Sequence, residues 1–137
     1  MSNVVILAGF NHMMSSSYNS QMLPIRGKPA LSYVIDEFYN KDNIILVLNK
    51  NNITTYEYIS KRYPCVQIEQ IDEDEEAKKY KSFSILNSLF KGISHKTIND
   101  NFVKVVLGDT LCYVKNECKE DLILVSNDFI SSSRWCL

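Results

Sequence analysis

The sequence is short of the features that mark several classes of protein. Its 137 residues include only four glycines and three prolines, and no long Pro, Gly or Ser tract indicates a disordered segment. The longest strongly apolar run, IILVL at residues 44–48, is far too short to span a bilayer. The N-terminus has neither a basic leader nor a small-residue cleavage site, so we expect a cytoplasmic protein with no membrane contact.

The chain also lacks an excess of charge of either sign. Fifteen Lys and Arg residues against sixteen Asp and Glu give a formal net charge of -1. Nothing therefore supplies the basic surface that nucleic-acid binding needs, and we expect no nucleic-acid partner. The four cysteines form no Cys-x-x-Cys pair, and neither histidine lies near a cysteine at ligand spacing. Free thiols are expected rather than disulfides or a structural metal site.

What the sequence does contain is the pattern of a single domain, residues 1–137. A chain of this length can bury roughly two-thirds of its unfolded surface in one core. Short apolar runs rich in β-branched residues predict five buried strands, at residues 3–8, 44–49, 66–71, 102–107 and 121–126. The segments between them carry helical spacing, so strands and helices alternate along most of the chain.

Three helices are predicted from apolar residues on one face. The first begins with Pro29 in its first turn and places Leu31, Val34, Ile35 and Phe38 on its buried face. The second spans residues 53–63, with Thr54 or Thr55 as its cap, Pro64 beyond its end, and Tyr56, Ile59 and Tyr63 at helical spacing. The third spans residues 82–93, with an apolar stripe made of Phe83, Leu86, Leu89, Phe90 and Ile93.

Alternating strands and helices predict an α/β fold: a Rossmann-like three-layer α/β/α sandwich with a mostly parallel sheet of about five strands. Ligands of such sheets bind beyond the carboxyl ends of the strands. That rule places Gly9 and Gly108-Asp109 on one rim. A glycine there lets phosphate approach the backbone. Asp109 suits a carboxylate ligand of Mg²⁺, although an ordinary strand-to-loop turn explains an Asp at this position equally well.

Four motifs occur in the order and rough spacing of a known family: ILAG at 6–9, LPIRGKPALSYVID at 23–36, VVLGDTL at 105–111 and SSSRWC at 131–136. In these motifs the chain resembles the sugar-phosphate nucleotidyltransferases, in particular the nucleotidyltransferase-like proteins of bacterial capsule and surface-polysaccharide clusters. The likeness covers nearly the whole chain but only about the first half of that family's usual length. It implies a truncated glycosyltransferase-A-like nucleotidyltransferase fold.

The resemblance also implies an activity. Such enzymes join a nucleoside triphosphate to a sugar 1-phosphate and release pyrophosphate, mainly by positioning and charge neutralisation. It places Ala8 and Gly9 against the base and ribose, and makes Asp109 the first of two Mg²⁺-binding aspartates. Further candidates for nucleotide binding are Phe10 and Gly108 on the predicted rim, with Arg26 and Lys28 in the segment that leads into the first helix.

The loop after the first strand departs from the family pattern. Residues 10–21 contain no glycine and no basic residue apart from His12, and the family's Pro-Lys pair falls on Asn19 and Ser20. Losing one group that neutralises charge on a transferring phosphoryl typically costs about two or three orders of magnitude in rate. Lys28 belongs to the Gly-Lys-Pro sequence that leads into the first helix. The family carries this sequence in addition to its catalytic lysine, and its ordinary role is to start the helix. No catalytic residue is identified.

Two hypotheses about function follow. The chain is either a nucleotidyltransferase-like domain that activates a sugar or related phosphate for capsule or surface polysaccharide, or a catalytically inactive module of the same fold. An inactive module would act through protein contacts or as part of a larger biosynthetic protein. An uncovered sheet edge would also permit a homo-oligomer. A hydrolase or oxidoreductase is disfavoured because no Gly-x-Gly-x-x-Gly follows the first strand.

Overall fold

The computed structural model describes residues 2–9, 20–72, 85–98 and 102–108. Four of the described strands form one sheet: β1 Asn3–Leu7, β4 Asn43–Asn49, β5 Gln67–Ile71 and β6 Val103–Leu107. Two short strands, β2 Pro24–Ile25 and β3 Lys28–Pro29, form a separate antiparallel hairpin. The main sheet has the order β5-β4-β1-β6 with every pair parallel. The predicted α/β class is confirmed, and the fifth predicted strand, at 121–126, lies outside the described residues.

The described residues form three α-helices, which cover the sheet on both faces: α1 Ala30–Phe38, α2 Ile53–Arg62 and α3 Ile85–Ile93. The core under α1 and α2 includes Val4, Ile6, Leu46 and Leu48, whereas alternate strand residues such as Val5 pack on the face that α3 covers. Right-handed crossovers explain this division. The chain moves from β1 to β4 and β5 in one direction, then crosses back past β1 to β6, so the last helix lies on the opposite face.

The first helix agrees with the sequence prediction. Leu31, Val34, Ile35 and Phe38 are all buried, because a spacing of three and four residues keeps them on one side of the helix. Pro29 was predicted in the first turn but lies at the N-cap, one residue before the helix begins at Ala30. The amide of Ala30 donates to the carbonyl of Leu23 at 3.0 Å. This hydrogen bond joins the first residue of α1 to the residue just before the hairpin.

The second helix has nearly the predicted bounds but a different cap. It begins at Ile53 as predicted and ends at Arg62, one residue early. Both proposed caps, Thr54 and Thr55, lie inside the helix, and Asn52 occupies the N-cap position. Ile59 and Tyr63 are buried as predicted, whereas Tyr56 is 40% exposed. Thr55, four residues before Ile59, completes the buried face in place of Tyr56.

The third helix departs most from its prediction. Leu86, Phe90 and Ile93 are 67%, 71% and 39% exposed, so these three residues of the expected stripe do not face the sheet. Leu89 of that stripe does pack against the core, and Phe83 lies outside the described residues. Among the residues of this helix whose burial is described, Ser88 and Gly92 are buried. A Cβ placed on Gly92 would lie 2.4 Å from Cγ1 of Val5. The helix backbone thus approaches β1 as closely as a glycine permits, and this contact decides which side of α3 faces inward.

Polar contacts connect the end of α3 and the turn after it with β5 and β4. The ammonium of Lys91 and Nε2 of His95 lie 3.9 Å and 3.5 Å from the carboxylate of Glu69. The amide of Thr97 donates to Nδ1 of His95 at 3.2 Å, which leaves Nε2 facing Glu69. Asn43 at the start of β4 donates to the Thr97 hydroxyl at 3.0 Å. The Lys91–Glu69 pair is half exposed and adds little stability, so these contacts mainly position the turn.

A carboxylate on α1 connects the hairpin with α2. Asp36 accepts from the Lys28 ammonium through one oxygen and from the Tyr63 hydroxyl through the other, the latter at 2.8 Å. Partial burial raises the pKa of Asp36, but the hydrogen bonds and the charges of Lys28 and Arg62 outweigh it and hold the pKa below its usual value. Burial, with the nearby carboxylate, raises the pKa of Tyr63 to about 12. Tyr63 therefore stays protonated and donates to Asp36 at neutral pH.

Replacing Gly92 with alanine should destabilise the protein. The added methyl would meet Val5 Cγ1 at 2.4 Å and Val47 Cγ2 at 3.1 Å, so α3 must shift away from the sheet. We expect a loss of about 1–3 kcal/mol in the free energy of unfolding from overpacking, despite the better helix propensity of alanine. Urea denaturation measures the change. The control is Leu86→Ala on the exposed side of α3, which should change stability by no more than about 0.5 kcal/mol. A Gly92→Ala protein as stable as the parent would contradict the close contact.

Replacing Asp36 with asparagine should reduce stability in a pH-dependent way. Because the folded-state pKa is lowered, the stabilisation by Asp36 is present above the unfolded pKa, roughly 4, and is lost as pH falls through the folded value. We expect Asp36→Asn to cost about 1 kcal/mol at pH 7, with screening of this partly exposed pair taken into account, and to cost much less near pH 3. Urea denaturation from pH 3 to pH 7 tests this. A cost of Asp36→Asn that stays constant from pH 3 to pH 7 would refute the assignment.

Candidate functional site

The reversal of strand order lies between β1 and β6. From β1 the chain builds the sheet towards β5, and it then returns to add β6 on the other side of β1. Parallel α/β sheets bind ligands in the crevice at this point, outside the carboxyl ends of the strands. Gly9 follows β1 and Gly108 follows β6, and the Gly108 amide donates to the Leu7 carbonyl at 2.9 Å. The structure thus places the two predicted glycines on one rim.

Both glycines sit where a side chain would crowd its neighbours. A Cβ on Gly9 would lie 3.3 Å from the amide nitrogen of Asn49, and one on Gly108 would lie 3.0 Å from Cβ of Ala8 and 3.3 Å from Cδ1 of Leu31. Ala8 itself is fully buried with its methyl in the core. The floor of the crevice is therefore backbone, which lets a ligand approach the main chain closely.

An asparagine-rich turn at residues 49–52 borders the floor on the β4 side. It was not predicted to be part of the site. Oδ1 of Asn49 accepts from the amide of Asn51 at 3.1 Å, and the amide of Asn52 donates to the carbonyl of Asn49 at 2.9 Å. These bonds shape the connection from β4 to α2. The run NKNN at 49–52 indicates a turn, but only the contact between Gly9 and Asn49 shows that this turn forms part of the rim.

The rim continues to β5 through Lys50. Its amide donates to the carbonyl of Ile71 at 2.8 Å, and its ammonium lies 4.0 Å from the carboxylate of Asp72. Lys50 is largely exposed, so this pair contributes little stability. Its effect is to place one positive and one negative charge at the β5 end of the rim.

The hairpin places two predicted basic residues at the entry to α1, and they differ in their surroundings. The ammonium of Lys28 pairs with Asp36 and lies 4.4 Å from the ring centre of Tyr33. Lys28 is therefore held along the side of α1, in keeping with a role in starting the helix. Arg26 is exposed at the hairpin tip. Among the residues that the structure describes, none forms an ion pair or hydrogen bond with its guanidinium.

Several predicted site residues lie outside the described residues. They are Phe10 and Asp109, and most of the loop at 10–21 and the SSSRWC motif at 131–136 also lie there. Within the described ranges, no group of three or more His, Cys, Asp and Glu side chains could hold a metal ion. The Mg²⁺ role of Asp109 stays a prediction. In the same part of the chain, no helix is both long and apolar enough to cross a membrane.

The described rim suits binding and positioning of a phosphorylated ligand. Its floor has no side chains at Gly9 and Gly108. Backbone at the ends of parallel strands accommodates phosphate oxygens.

No protein-family model matches the chain. Among curated proteins, it is similar to the 2-C-methyl-D-erythritol 4-phosphate cytidylyltransferase of Clostridium novyi (strain NT), with 30% identity over 90 residues. The aligned segment is 63% of this chain but only 39% of that enzyme. The chain thus matches well under half the length of this relative.

Two solved structures resemble the chain in three dimensions. A nucleotidyl transferase from Methanothermobacter thermautotroptrophicus (Mth528) superposes with a TM-score of 0.59 at 16% identity, covering 80% of this chain and 50% of that one. Rv0371c from Mycobacterium tuberculosis H37Rv gives a TM-score of 0.55 at 17% identity, covering 79% of this chain and 52% of that one. The chain spans about half of each structure, and it has a Rossmann-like α/β fold of the nucleotidyltransferase type.

Proposed function

We propose that this chain is the nucleotide-binding part of a nucleotidyltransferase that couples a nucleoside triphosphate to the phosphate of a sugar or related small molecule. The observation that carries the proposal is the pair of closely packed glycines, Gly9 and Gly108, on either side of the strand-order reversal. Nucleotides bind at this position in open parallel sheets. The partial likeness to a cytidylyltransferase makes CTP the first nucleotide to test.

The proposed reaction is an in-line displacement at phosphorus. A phosphate oxygen of the acceptor attacks the α-phosphorus of the nucleotide, and a new phosphorus–oxygen bond forms. The bond from the α-phosphorus to the bridging oxygen breaks, and pyrophosphate leaves with the electron pair. Such transfers depend mainly on positioning and on neutralising charge. The nucleotide enters as its magnesium complex, so the ion that Asp109 is proposed to contact arrives with the substrate.

Each proposed contact follows from a position on the rim. The backbone of Ala8 and Gly9 would lie against the base and ribose, since the floor there has no exposed side chain. Gly108 would keep the other wall of the crevice open beside α1. Phe10 is proposed to border the base from the loop that follows Gly9.

The acceptor is proposed to be a sugar phosphate or a related phosphate used for capsule or surface polysaccharide. The support is the ordered set of four sequence motifs together with the nucleotidyltransferase type of fold. The curated relative is named for the phosphate of a small polyol. Acceptors for testing should therefore include both sugar 1-phosphates and polyol phosphates.

Binding of magnesium nucleotides tests the proposal. Calorimetry on the 137-residue chain with the magnesium complexes of CTP, UTP, GTP and ATP should show saturable binding of at least one at millimolar or lower concentration. Gly108→Ala should weaken that binding, because its methyl would press on Ala8 and Leu31 at the crevice wall. Leu86→Ala, on the exposed side of α3, is the matched control and should bind like the parent. No binding of any of the four triphosphates at millimolar concentration would refute the proposal.

Pyrophosphate release distinguishes an enzyme from an inactive module of the same fold. An active enzyme should release pyrophosphate only when both the bound nucleotide and a suitable phosphate acceptor are present. Nucleotide binding without release across sugar 1-phosphates and polyol phosphates would support the inactive alternative.

A further inference from the structure

A buried carboxamide lies at the end of β4. Asn49 is only 1% exposed, and the residues before it in this strand, at 44–48, are apolar and buried. Burying an amide group costs free energy unless it is hydrogen-bonded. An asparagine at this position therefore indicates that its side chain makes a contact that an apolar residue could not make.

The side chain of Asn49 holds the turn that follows β4. Its Oδ1 accepts from the amide of Asn51 at 3.1 Å, which is the two-residue turn that asparagine forms with its own backbone. Its carbonyl accepts from the amide of Asn52 at 2.9 Å, and the amide of Lys50 donates to the carbonyl of Ile71 at 2.8 Å. Of these three hydrogen bonds, only the one to Oδ1 depends on which side chain occupies position 49.

The start of this turn lies directly against the glycine floor of the crevice. A Cβ on Gly9 would lie 3.3 Å from the amide nitrogen of Asn49 and 3.4 Å from the carbonyl carbon of Leu48. One residue earlier, the amide of Ala8 donates to the carbonyl of Val47 at 2.9 Å. The two chain segments therefore leave the sheet side by side, and the path of the backbone at Asn49 limits the positions that Gly9 can adopt.

We propose that Asn49 is a positioning residue of the nucleotide site. This inference rests on the proposed function, in which the backbone of Gly9 lies against the base and ribose. Asn49 does not touch the nucleotide. By accepting from the amide of Asn51, its side chain fixes where the chain turns after β4, and the fixed turn keeps Gly9 in the position that the nucleotide requires. Without this hydrogen bond the turn relaxes, and the floor next to it loses its fixed shape.

The same strand offers a matched control at its other end. Asn43 is the first residue of β4, and its Nδ2 donates to Oδ1 of Asn3 and to the hydroxyl of Thr97, both at 3.0 Å. The length of the strand puts it about 20 Å from Asn49, at the amino ends of the parallel strands and away from the crevice. Asn43→Ala therefore removes a hydrogen-bonded carboxamide from β4 without altering the rim.

Calorimetry with magnesium CTP, or with another of the four magnesium triphosphates if the parent binds that one instead, compares Asn49→Ala with Asn43→Ala. Both variants should unfold a few degrees below the parent, so binding is measured where all the proteins are folded. We expect Asn49→Ala to weaken nucleotide binding about tenfold, whereas Asn43→Ala should leave it unchanged. Asn49→Ser, which differs from Asn49→Ala by one oxygen able to accept from the amide of Asn51, should restore part of the lost affinity.

NMR spectra of the nucleotide-free protein give a readout that does not depend on binding. Asn49→Ala should shift the amide resonance of Gly9 as well as that of Asn51, and Asn43→Ala should shift neither. An unchanged Gly9 resonance in Asn49→Ala would contradict the proposed route. If Asn49→Ala does not fold, Asn49→Leu, which removes the acceptor but keeps the volume, takes its place in both experiments.

The outcomes separate this inference from the proposed function. Nucleotide binding by Asn49→Ala equal to that of the parent would overturn the inference and leave the proposed function standing. Equal weakening by Asn43→Ala would also overturn it, since the effect would then come from general destabilisation. If the parent binds none of the four magnesium triphosphates, the proposed function fails and this inference fails with it.

Discussion

The burial of β1 on both faces is the constraint on which the rest of the structure depends. All five residues of this strand are buried, with parallel strands on both sides and helices above and below. A parallel neighbour can be reached only through a crossover, so the two neighbours of β1 must be added in separate passes of the chain. The reversal between these passes falls at the carboxyl end of β1. The location of the crevice follows from the burial of one strand.

The two components of the candidate site have different physical origins. Its floor at Gly9 and Gly108 is set by packing, because the strand ends and α1 leave no room there for side chains. The predicted basic residues Arg26 and Lys28 lie on the hairpin, an exposed element with its own hydrogen bonds to α1. The packing that shapes the crevice therefore does not determine the positions of these cations. A single residue, Gly27, separates the exposed guanidinium of Arg26 from an ammonium held by Asp36.

Local pattern was enough to predict the four described strands of the main sheet, the first helix and the placement of Gly9 and Gly108 on one rim, whereas the hairpin strands β2 and β3 were not predicted. Buried parallel strands read as continuous β-branched runs, and the rim follows from the general geometry of such sheets. The rotation of α3 could not be predicted, because it depends on how closely Gly92 approaches Val5 and on contacts with Glu69 from a distant strand. Apolar periodicity alone therefore selected the wrong face. The cap of α2 was missed because the preceding asparagine turn competes with the threonines for that role.

Nonlocal pairing also limited the prediction of the site. The LPIRGKPALSYVID segment contains both Lys28 and Asp36. Their ion pair forms because α1 places Asp36 on the side that faces Lys28, and the Tyr63 hydroxyl satisfies the second carboxylate oxygen. Likewise, nothing in the pair Arg26-Gly27 reveals that both residues adopt positive φ. The register of the hairpin, with Ile25 opposite Lys28, makes that conformation necessary.

The contact between Gly92 and Val5 also links two positions that are far apart in the sequence. There is no free space between Gly92 and the Val5 side chain. A larger residue at position 5 therefore fits only if α3 moves away from the sheet. In the same way, a larger residue at position 92 requires a smaller one at position 5. Natural variants of this protein should therefore change the two positions in a compensating way, keeping their combined volume nearly constant.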